Sequence, residues 1–245
     1  MKVLVDYTDI INKYGLNPLI FGSEGWCLIN DNIIEKFYHY PKNIEIFNDF
    51  SSYKSHRIAF PFYYLYNCWN EQEVVGEVMP YFNKKTILLS LDGKNNVDKL
   101  IYNYQLIMKE LEKFPEIKMK DLVAPNILYD DISGFSIIDT TSWQFMDGDN
   151  SAFNKGLFSV EVSELVLDLL LEISPINLYD FEFKKNLLKY GNYGQQLLRV
   201  LQGAYEGEDH FVEILELYKS VFDLEKQGNL MVKDLKKYTK MLKKD

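Results

Sequence analysis

Residues 118 to 139 read KMKDLVAPNILYDDISGFSIID, and this stretch decides how the rest of the chain is interpreted. Two short apolar runs, 127–129 and 135–138, are rich in residues that favour strands. The turn between them ends in Gly134, a residue that readily adopts a positive φ. The pattern predicts a β-hairpin whose outer ends lie side by side.

The predicted hairpin gathers three oxygen-bearing side chains. Asn126 enters the hairpin where Asp139 leaves it, and Asp121 lies on the loop just before it. Carboxylate and amide oxygens suit Mg²⁺, which usually takes one or two carboxylates and completes its shell with water and phosphate. The stretch therefore predicts a magnesium site. The alternative is a surface hairpin with solvated Asp and Asn side chains.

The spacing of Asp121-Leu122 and Asn126 resembles the catalytic loop H-R-D-L-x-x-x-N of the protein kinase superfamily. The hairpin followed by Asp139 resembles the strand pair that ends in the D-F-G aspartate. The resemblance implies that Asp121 is the base or orienting group for a substrate hydroxyl. It also implies that Asn126 and Asp139 hold metal on the nucleotide phosphates.

The sequence departs from the kinase pattern at several positions. Met119 and Lys120 stand where the family has His and Arg, and Val123 replaces the lysine common in Ser/Thr kinases. Thr140-Thr141 follow Asp139 in place of Phe-Gly. These departures motivate an alternative, a pseudokinase that binds nucleotide or a protein partner without turnover.

Composition limits the classes of protein to consider. The 245 residues are 47% hydrophobic, enough for a sizeable core in one large domain or two lobes. A net charge of −9 disfavours nucleic acid as the main partner. Cys27 and Cys68 have no disulfide or metal-site spacing, and no signal pattern or transmembrane segment is evident. We therefore expect a cytoplasmic protein, and the kinases that the chain resembles are of a divergent bacterial type.

The first 80 residues predict an antiparallel meander with tight turns. A short helix is expected at 6–14, and strands are expected at 19–21, 26–29, 33–38, 58–66 and 73–78. Pro41 is expected to end the third strand, and a helix is expected from 43 to about 54.

Several residues in this meander resemble the nucleotide-binding parts of a kinase. Gly22, Ser23 and Gly25 lie in a turn that resembles the glycine-rich loop over the phosphates, although any hairpin can carry two glycines. Lys36 resembles the lysine of V-A-I-K, which binds the α- and β-phosphates. The alternative for Lys36 is a solvent-facing residue of an edge strand.

Two further assignments follow from the resemblance. Glu45, on the predicted helix, is the candidate partner of Lys36, with Asp49 and Glu35 left open. Glu77 and Met79 resemble the hinge between kinase lobes, whose backbone hydrogen-bonds the adenine.

Beyond residue 80 the sequence predicts mostly helices. The clearest is 97–113, where apolar residues recur at i, i+3, i+4 and i+7. Other helices are expected at 158–172, 180–190, 194–205, 209–226 and 230–244. The last carries six lysines, which fit either an acidic partner or membrane surface, or a solvated face.

These patterns predict an α+β chain, and the resemblance implies a protein kinase-like two-lobed fold. The N-lobe, residues 1–79, would be small, antiparallel and β-rich, and the C-lobe, residues 80–245, larger and mainly helical. ATP and Mg²⁺ would lie in the cleft between them. The implied activity is transfer of the ATP γ-phosphoryl group to a hydroxyl of a protein or small molecule. Nucleotidyl transfer is a weaker alternative.

Overall fold

The structure, a computed structural model, describes residues 2–14, 20–21, 24–91, 97–169 and 211–216, with the single residues 185, 188, 195, 198, 199 and 202. The chain divides into two compact units. The first joins Met1–Lys84 to Ser136–Phe145, and the second joins Lys85–Phe135 to the chain from Met146 onward. The architecture is mixed α+β with a sheet rich in antiparallel pairs, as the sequence predicted.

The described residues of the first unit form six strands of one sheet, an α-helix and a further short strand. The elements are β1 (Val3–Val5), α1 (Tyr7–Tyr14), β2 (Ile20–Phe21), β3 (Gly25–Asn30), β4 (Ile33–Asn43), β5 (Tyr63–Asn67), β6 (Asn70–Pro80) and, much later in the chain, β11 (Gln144–Phe145). The first six strands form one sheet in the order β1-β5-β6-β4-β3-β2. Only the β1–β5 pair in this order is parallel. The long strands β4 and β6 are therefore central, and their backbones are paired on both sides.

The two faces of this sheet differ in chemistry. On one face, Trp26, Phe37 and Val78 belong to an apolar cluster on which α1 packs through Tyr7 and Ile10. Successive side chains of a strand point to opposite faces. The neighbours of Phe37 and Val78 along β4 and β6, Lys36 and Glu77, therefore lie on the second face, where the buried aromatic rings of Tyr38 and Tyr64 also lie.

Pro41 does not end the third strand, so that prediction was wrong. β4 continues to Asn43, and its register with β6 shifts between Phe37 and Lys42. A proline lacks the N–H needed for regular pairing but is tolerated where pairing is irregular. The irregularity allows Pro41 to stay within the strand.

The prediction of a helix from residue 43 to about 54 was also wrong. A single 3₁₀ turn covers Ile44–Ile46, and Phe47 is already extended, with φ −94° and ψ 132°. Phe47 packs edge-on against Tyr64, with ring centroids 4.6 Å apart. The Phe50 N–H donates a hydrogen bond to the Tyr64 hydroxyl at 3.1 Å. Packing on the sheet therefore overrides the local helical pattern.

The second unit carries strands as well as helices. Its elements are β7 (Lys85–Thr86), α2 (Ile87–Ser90), α3 (Val97–Leu111), β8 (Ile117–Lys118), β9 (Ile127–Asp130), the start of β10 (Gly134–Ile137) and α4 (Ser151–Leu169). The prediction of a mainly helical region after residue 80 is therefore not confirmed by the described residues. Most of the helices expected beyond residue 180 lie outside the described residues.

The hairpin and the long helix of the second unit agree with the sequence. β9 and β10 follow each other through a tight turn, and Gly134, the first residue of β10, has φ 75°. Tyr104 on α3 stacks on Phe211 with centroids 4.2 Å apart, and Phe135 packs against Phe158 of α4. These aromatic contacts form the core that holds the hairpin. No helix in the described ranges has the length and apolar character needed to cross a membrane.

Gly25 has a structural role at the start of β3. A Cβ added at Gly25 would overlap the carbonyl oxygen of Phe37 on β4, whereas a Cβ at Gly156 in α4 would meet nothing within 4 Å. We expect Gly25→Ala to lower the free energy of unfolding by about 2 kcal/mol, because backbone must move. The matched Gly156→Ala change should raise it by about 0.5–1 kcal/mol, since alanine favours helix. Urea unfolding measures both, and equal effects would contradict this packing.

Candidate functional site

The candidate site in the first unit is a buried charge cluster around Lys36. The Lys36 Nζ donates a hydrogen bond to Asp139 Oδ1 at 2.6 Å and another to Thr141 Oγ1 at 2.9 Å. Glu77 Oε1 lies 3.7 Å from the same nitrogen and Glu24 Oε2 lies 3.8 Å away. One ammonium group is thus shared by three carboxylates.

The sheet register explains why these strands meet at this point. Lys36 lies directly opposite Glu77 on β6 and opposite Cys27 on β3. Side chains that face each other across neighbouring strands have Cβ atoms about 4.5–5.5 Å apart and interact on one face. The Lys36–Glu77 contact is therefore a cross-strand pair built into the central strands.

Asp139 reaches the cluster because the backbone of Ile137 is hydrogen-bonded to Arg57 and Ala59 within the first unit. The Ile137 N–H donates to the Arg57 carbonyl at 2.7 Å, and the Ala59 N–H donates to the Ile137 carbonyl at 2.9 Å. Two residues later, Asp139 adopts φ 61°. Only a few per cent of non-glycine residues adopt a positive φ, and such conformations cluster at functional sites.

The hydroxyl of Thr141 connects the members of the cluster. Its oxygen accepts from Lys36 and lies 2.8 Å from Asp139 Oδ1 and 3.0 Å from Glu77 Oε1. A hydroxyl has one proton, so it donates to one of the two carboxylates at a time. Thr141 therefore couples the two carboxylates through a shared hydrogen bond.

Burial and charge together set the protonation of the cluster. Burial lowers the pKa of Lys36, but the charges of Glu77 and Asp139 outweigh it and hold that pKa above its ordinary value. Burial raises the pKa of Asp139, but Lys36 outweighs that effect and holds the pKa below its usual range. Burial also raises the pKa of Glu77, and Lys36 offsets this only in part. Lys36 and Asp139 therefore form a charged pair at neutral pH.

Cys27 is not a reactive thiol, although it faces Lys36. Burial raises the pKa of Cys27 to about 11, against the opposing effect of the Lys36 charge. Because the thiolate is the nucleophilic form, this side chain stays protonated and inert at neutral pH.

A cavity of about 750 Å³ adjoins the cluster within the first unit. Its volume lies in the range of small-molecule sites, about 300–1,000 Å³. Aromatic and polar side chains line it, among them Tyr40, Trp143 and Asn48, and Glu24 and Thr141 connect it to the charge cluster. Two members of the cluster therefore border a space large enough for a ligand.

The loop that resembles a catalytic loop lies in the second unit. Asp121 is exposed and has φ 51°, and Asn126 Nδ2 donates to the Asp121 carbonyl at 3.2 Å. The buried Asn154 of α4 fixes the approach to this loop. Its Oδ1 accepts from the Met119 N–H at 2.9 Å, and its Nδ2 donates to the Ile117 carbonyl at 2.7 Å. The backbone leading into the loop is thus fixed by hydrogen bonds, and the Asp121 side chain is exposed.

Other predicted site residues lie elsewhere. Glu45 is exposed on its 3₁₀ turn, and the carboxylates around Lys36 belong to other residues, so the predicted Lys36–Glu45 pair is not seen. Met79 is buried in β6 opposite Ile34. Gly22 and Ser23 lie outside the described residues.

The sequence assigned Glu77 to the hinge between lobes, and its position in the sheet does not agree with that prediction. It lies inside central strand β6, where Lys36 and Tyr64 flank it in the sheet, so its backbone is not open to a base. Its side chain belongs to the charge cluster around Lys36. The signal for this was present, because Glu77 is the one charge in the run Val74-Val75-Gly76-Glu77-Val78-Met79. A charge in a buried strand indicates a buried partner.

Asp139 offers one carboxylate of the ligand type that Mg²⁺ takes, and the cluster offers no complete metal site of its own in the described residues. No group of three or more His, Cys, Asp or Glu side chains in the described part of the chain is arranged as a metal site by itself. Asp139 supplies a hard carboxylate oxygen from a side chain that is 34% exposed. In nucleotide sites, phosphate and water complete the shell of Mg²⁺.

Comparisons with known proteins give a limited likeness. No protein-family model matches the sequence, and no curated protein matches it. Among solved structures, an apo pseudokinase is similar at 9% identity and a TM-score of 0.48, with 89% of this chain and 95% of that chain covered. A likeness of this strength assigns neither an activity nor a ligand to the chain.

The Lys36–Asp139 pair makes the free energy of unfolding depend on pH in the acid range. We expect Asp139→Asn to lower the free energy of unfolding at pH 7 by about 1–2 kcal/mol, since Glu77 still compensates Lys36. The pKa of Asp139 is depressed on folding, so its contribution is present above the unfolded value of about 3.9 and is lost as pH falls through the folded value. Urea unfolding at several pH values should show the two proteins converging in acid. A gap that does not depend on pH would contradict the pair.

Proposed function

We propose that this chain is a kinase-like protein that binds ATP with Mg²⁺ through Lys36 and Asp139. We further propose that it transfers the γ-phosphoryl group to a hydroxyl of a protein or small molecule. One observation carries the proposal: Lys36 and Asp139, 103 residues apart in sequence, meet at 2.6 Å beside a cavity of about 750 Å³.

The chemistry of these residues suits a nucleotide. A lysine ammonium is a compact point charge that binds phosphate oxygens. Asp139 is the ligand for magnesium, which neutralises phosphate charge when bound. Phosphoryl transfer requires positioning and charge stabilisation more than covalent chemistry, so few protein groups are needed.

Asp121 has the role of base or orienting group for the acceptor hydroxyl in this proposal, and Asn126 has that of a second metal ligand. Both roles rest on the sequence pattern. The exposure of the Asp121 side chain supports the first, because a group that accepts a substrate proton must be accessible.

A second candidate function is nucleotide binding without turnover. The observation in its favour is that Asp139 is followed by Thr140-Thr141, where kinases have Phe-Gly. Met119 and Lys120, in place of the His and Arg of kinases, point the same way.

Binding is tested by thermal unfolding with and without Mg²⁺–ATP. Ligand at about 100 times its Kd stabilises the folded state by roughly 2.7 kcal/mol, so we expect a clear rise in Tm. Lys36→Met should abolish the rise, because the phosphates lose their cation. Lys54→Met, which removes an exposed lysine of the same unit, should keep it. The absence of any shift in the unaltered protein at millimolar Mg²⁺–ATP would refute the proposal.

Turnover is tested by nucleotide products formed with candidate hydroxyl acceptors. We expect ADP from the unaltered protein and about a 100-fold or greater loss in Asp121→Asn, since general base catalysis typically contributes that much. The variant should retain the thermal shift with Mg²⁺–ATP, and Asp147→Asn, another exposed aspartate, should retain both. Binding without ADP formation would favour the second candidate, and AMP as product would indicate nucleotidyl transfer.

A further inference from the structure

We propose that Glu77 is a positioning residue. It binds the Lys36 ammonium when a divalent cation replaces that ammonium on Asp139. The inference rests on the proposed function. Asp139 is called the outer carboxylate here and Glu77 the inner carboxylate. In this proposal the Lys36 ammonium can move from Asp139 to Glu77, so the Lys36–Asp139 bond does not block nucleotide binding.

The two carboxylates differ in their access to solvent. The side chain of the outer carboxylate is 34% exposed, and that of the inner carboxylate is 1% exposed. A cation arriving from water therefore reaches Asp139 and not Glu77. Both carboxylates can therefore stay in place, and the Lys36 ammonium is the group that moves.

The movement required of the ammonium is small. Nζ lies 2.6 Å from the outer carboxylate and 3.7 Å from the inner one. A shift of about 1 Å gives the inner carboxylate a charge-assisted hydrogen bond of ordinary length. Lysine has a flexible stem and can make such a shift without backbone movement.

The Thr141 hydroxyl changes its hydrogen-bond acceptor when the Lys36 ammonium changes its carboxylate. Its hydroxyl lies within hydrogen-bonding distance of both carboxylates and has one proton to donate. When the ammonium bonds Glu77, the hydroxyl is available to Asp139, and when the ammonium bonds Asp139, the hydroxyl is available to Glu77. Neither carboxylate is left without a donor in either arrangement.

The inner carboxylate is needed because a buried charge must be compensated. Lys36 is almost fully buried, so an ammonium released by Asp139 alone would have little water to solvate it. Glu24 is a poor substitute, because it is 44% exposed, lies 3.8 Å away and also pairs with Lys42. Glu77 lies opposite Lys36 in the sheet and keeps the charge paired throughout the exchange.

The experiment measures how much Mg²⁺ increases the affinity for ATP. The Kd of ATP is determined by calorimetry in excess Mg²⁺ and in EDTA, for the unaltered protein, Glu77→Gln and the control Glu71→Gln on the exposed end of β6. In Glu77→Gln, Lys36 loses the buried carboxylate and keeps its bond to Asp139, so the cation competes poorly. We expect the Mg²⁺-dependent gain in affinity to fall about tenfold, equivalent to 1.4 kcal/mol, with the affinity in EDTA nearly unchanged. Glu71→Gln should retain the full gain, since its carboxylate pairs with Lys2 at the surface.

Each outcome decides the inference. If Glu77→Gln keeps the Mg²⁺-dependent gain, or loses affinity equally in Mg²⁺ and in EDTA, the exchange is refuted while the proposed function stands. If the unaltered protein binds ATP in neither condition, the proposed function is refuted and the exchange with it. Thr141→Val is a second variant should Glu77→Gln not fold. It removes the shared hydroxyl and should reduce the gain in the same direction.

Discussion

The first unit depends on how one lysine charge is buried between two central strands. Lys36 cannot stay charged on an inner face of the sheet unless carboxylates accompany it, because an unpaired ammonium in a poorly solvated site is strongly unfavourable. Glu77 satisfies this condition from the neighbouring strand and Asp139 from a segment 103 residues later. The pairing therefore ties a distant part of the chain to the sheet.

This constraint also accounts for the segment after β4. A helix carrying a partner for Lys36 was expected at 43–54, and the cluster obtains its carboxylates without one. The segment instead contributes aromatic side chains, and Phe47 and Phe50 both contact Tyr64. The sheet face is covered by rings where the charge cluster ends, which limits the water that reaches Glu77.

Asp121 and Asp139, two of the three aspartates with positive φ in the described residues, are held by different means. Around Asp139 the restraint is a set of backbone hydrogen bonds to Arg57 and Ala59. Around Asp121 it is the amide of Asn154, which bonds the backbone on the way into the loop. A strained conformation persists only where the surroundings impose it, so both positions are defined by the fold and not by local sequence.

The sequence by itself determined the elements whose signals are local. Hairpin turns, the apolar period of α3 and the alternation in β3 and β4 predicted the meander, the long helix and the hairpin at 127–137, because each depends on neighbouring residues. It also singled out Lys36 and Asp139. The tertiary structure alone decided which carboxylate faces Lys36, that Pro41 continues a strand and that 43–54 is not a helix. Cross-strand register and long-range packing set those outcomes, and neither is encoded in a short window of sequence.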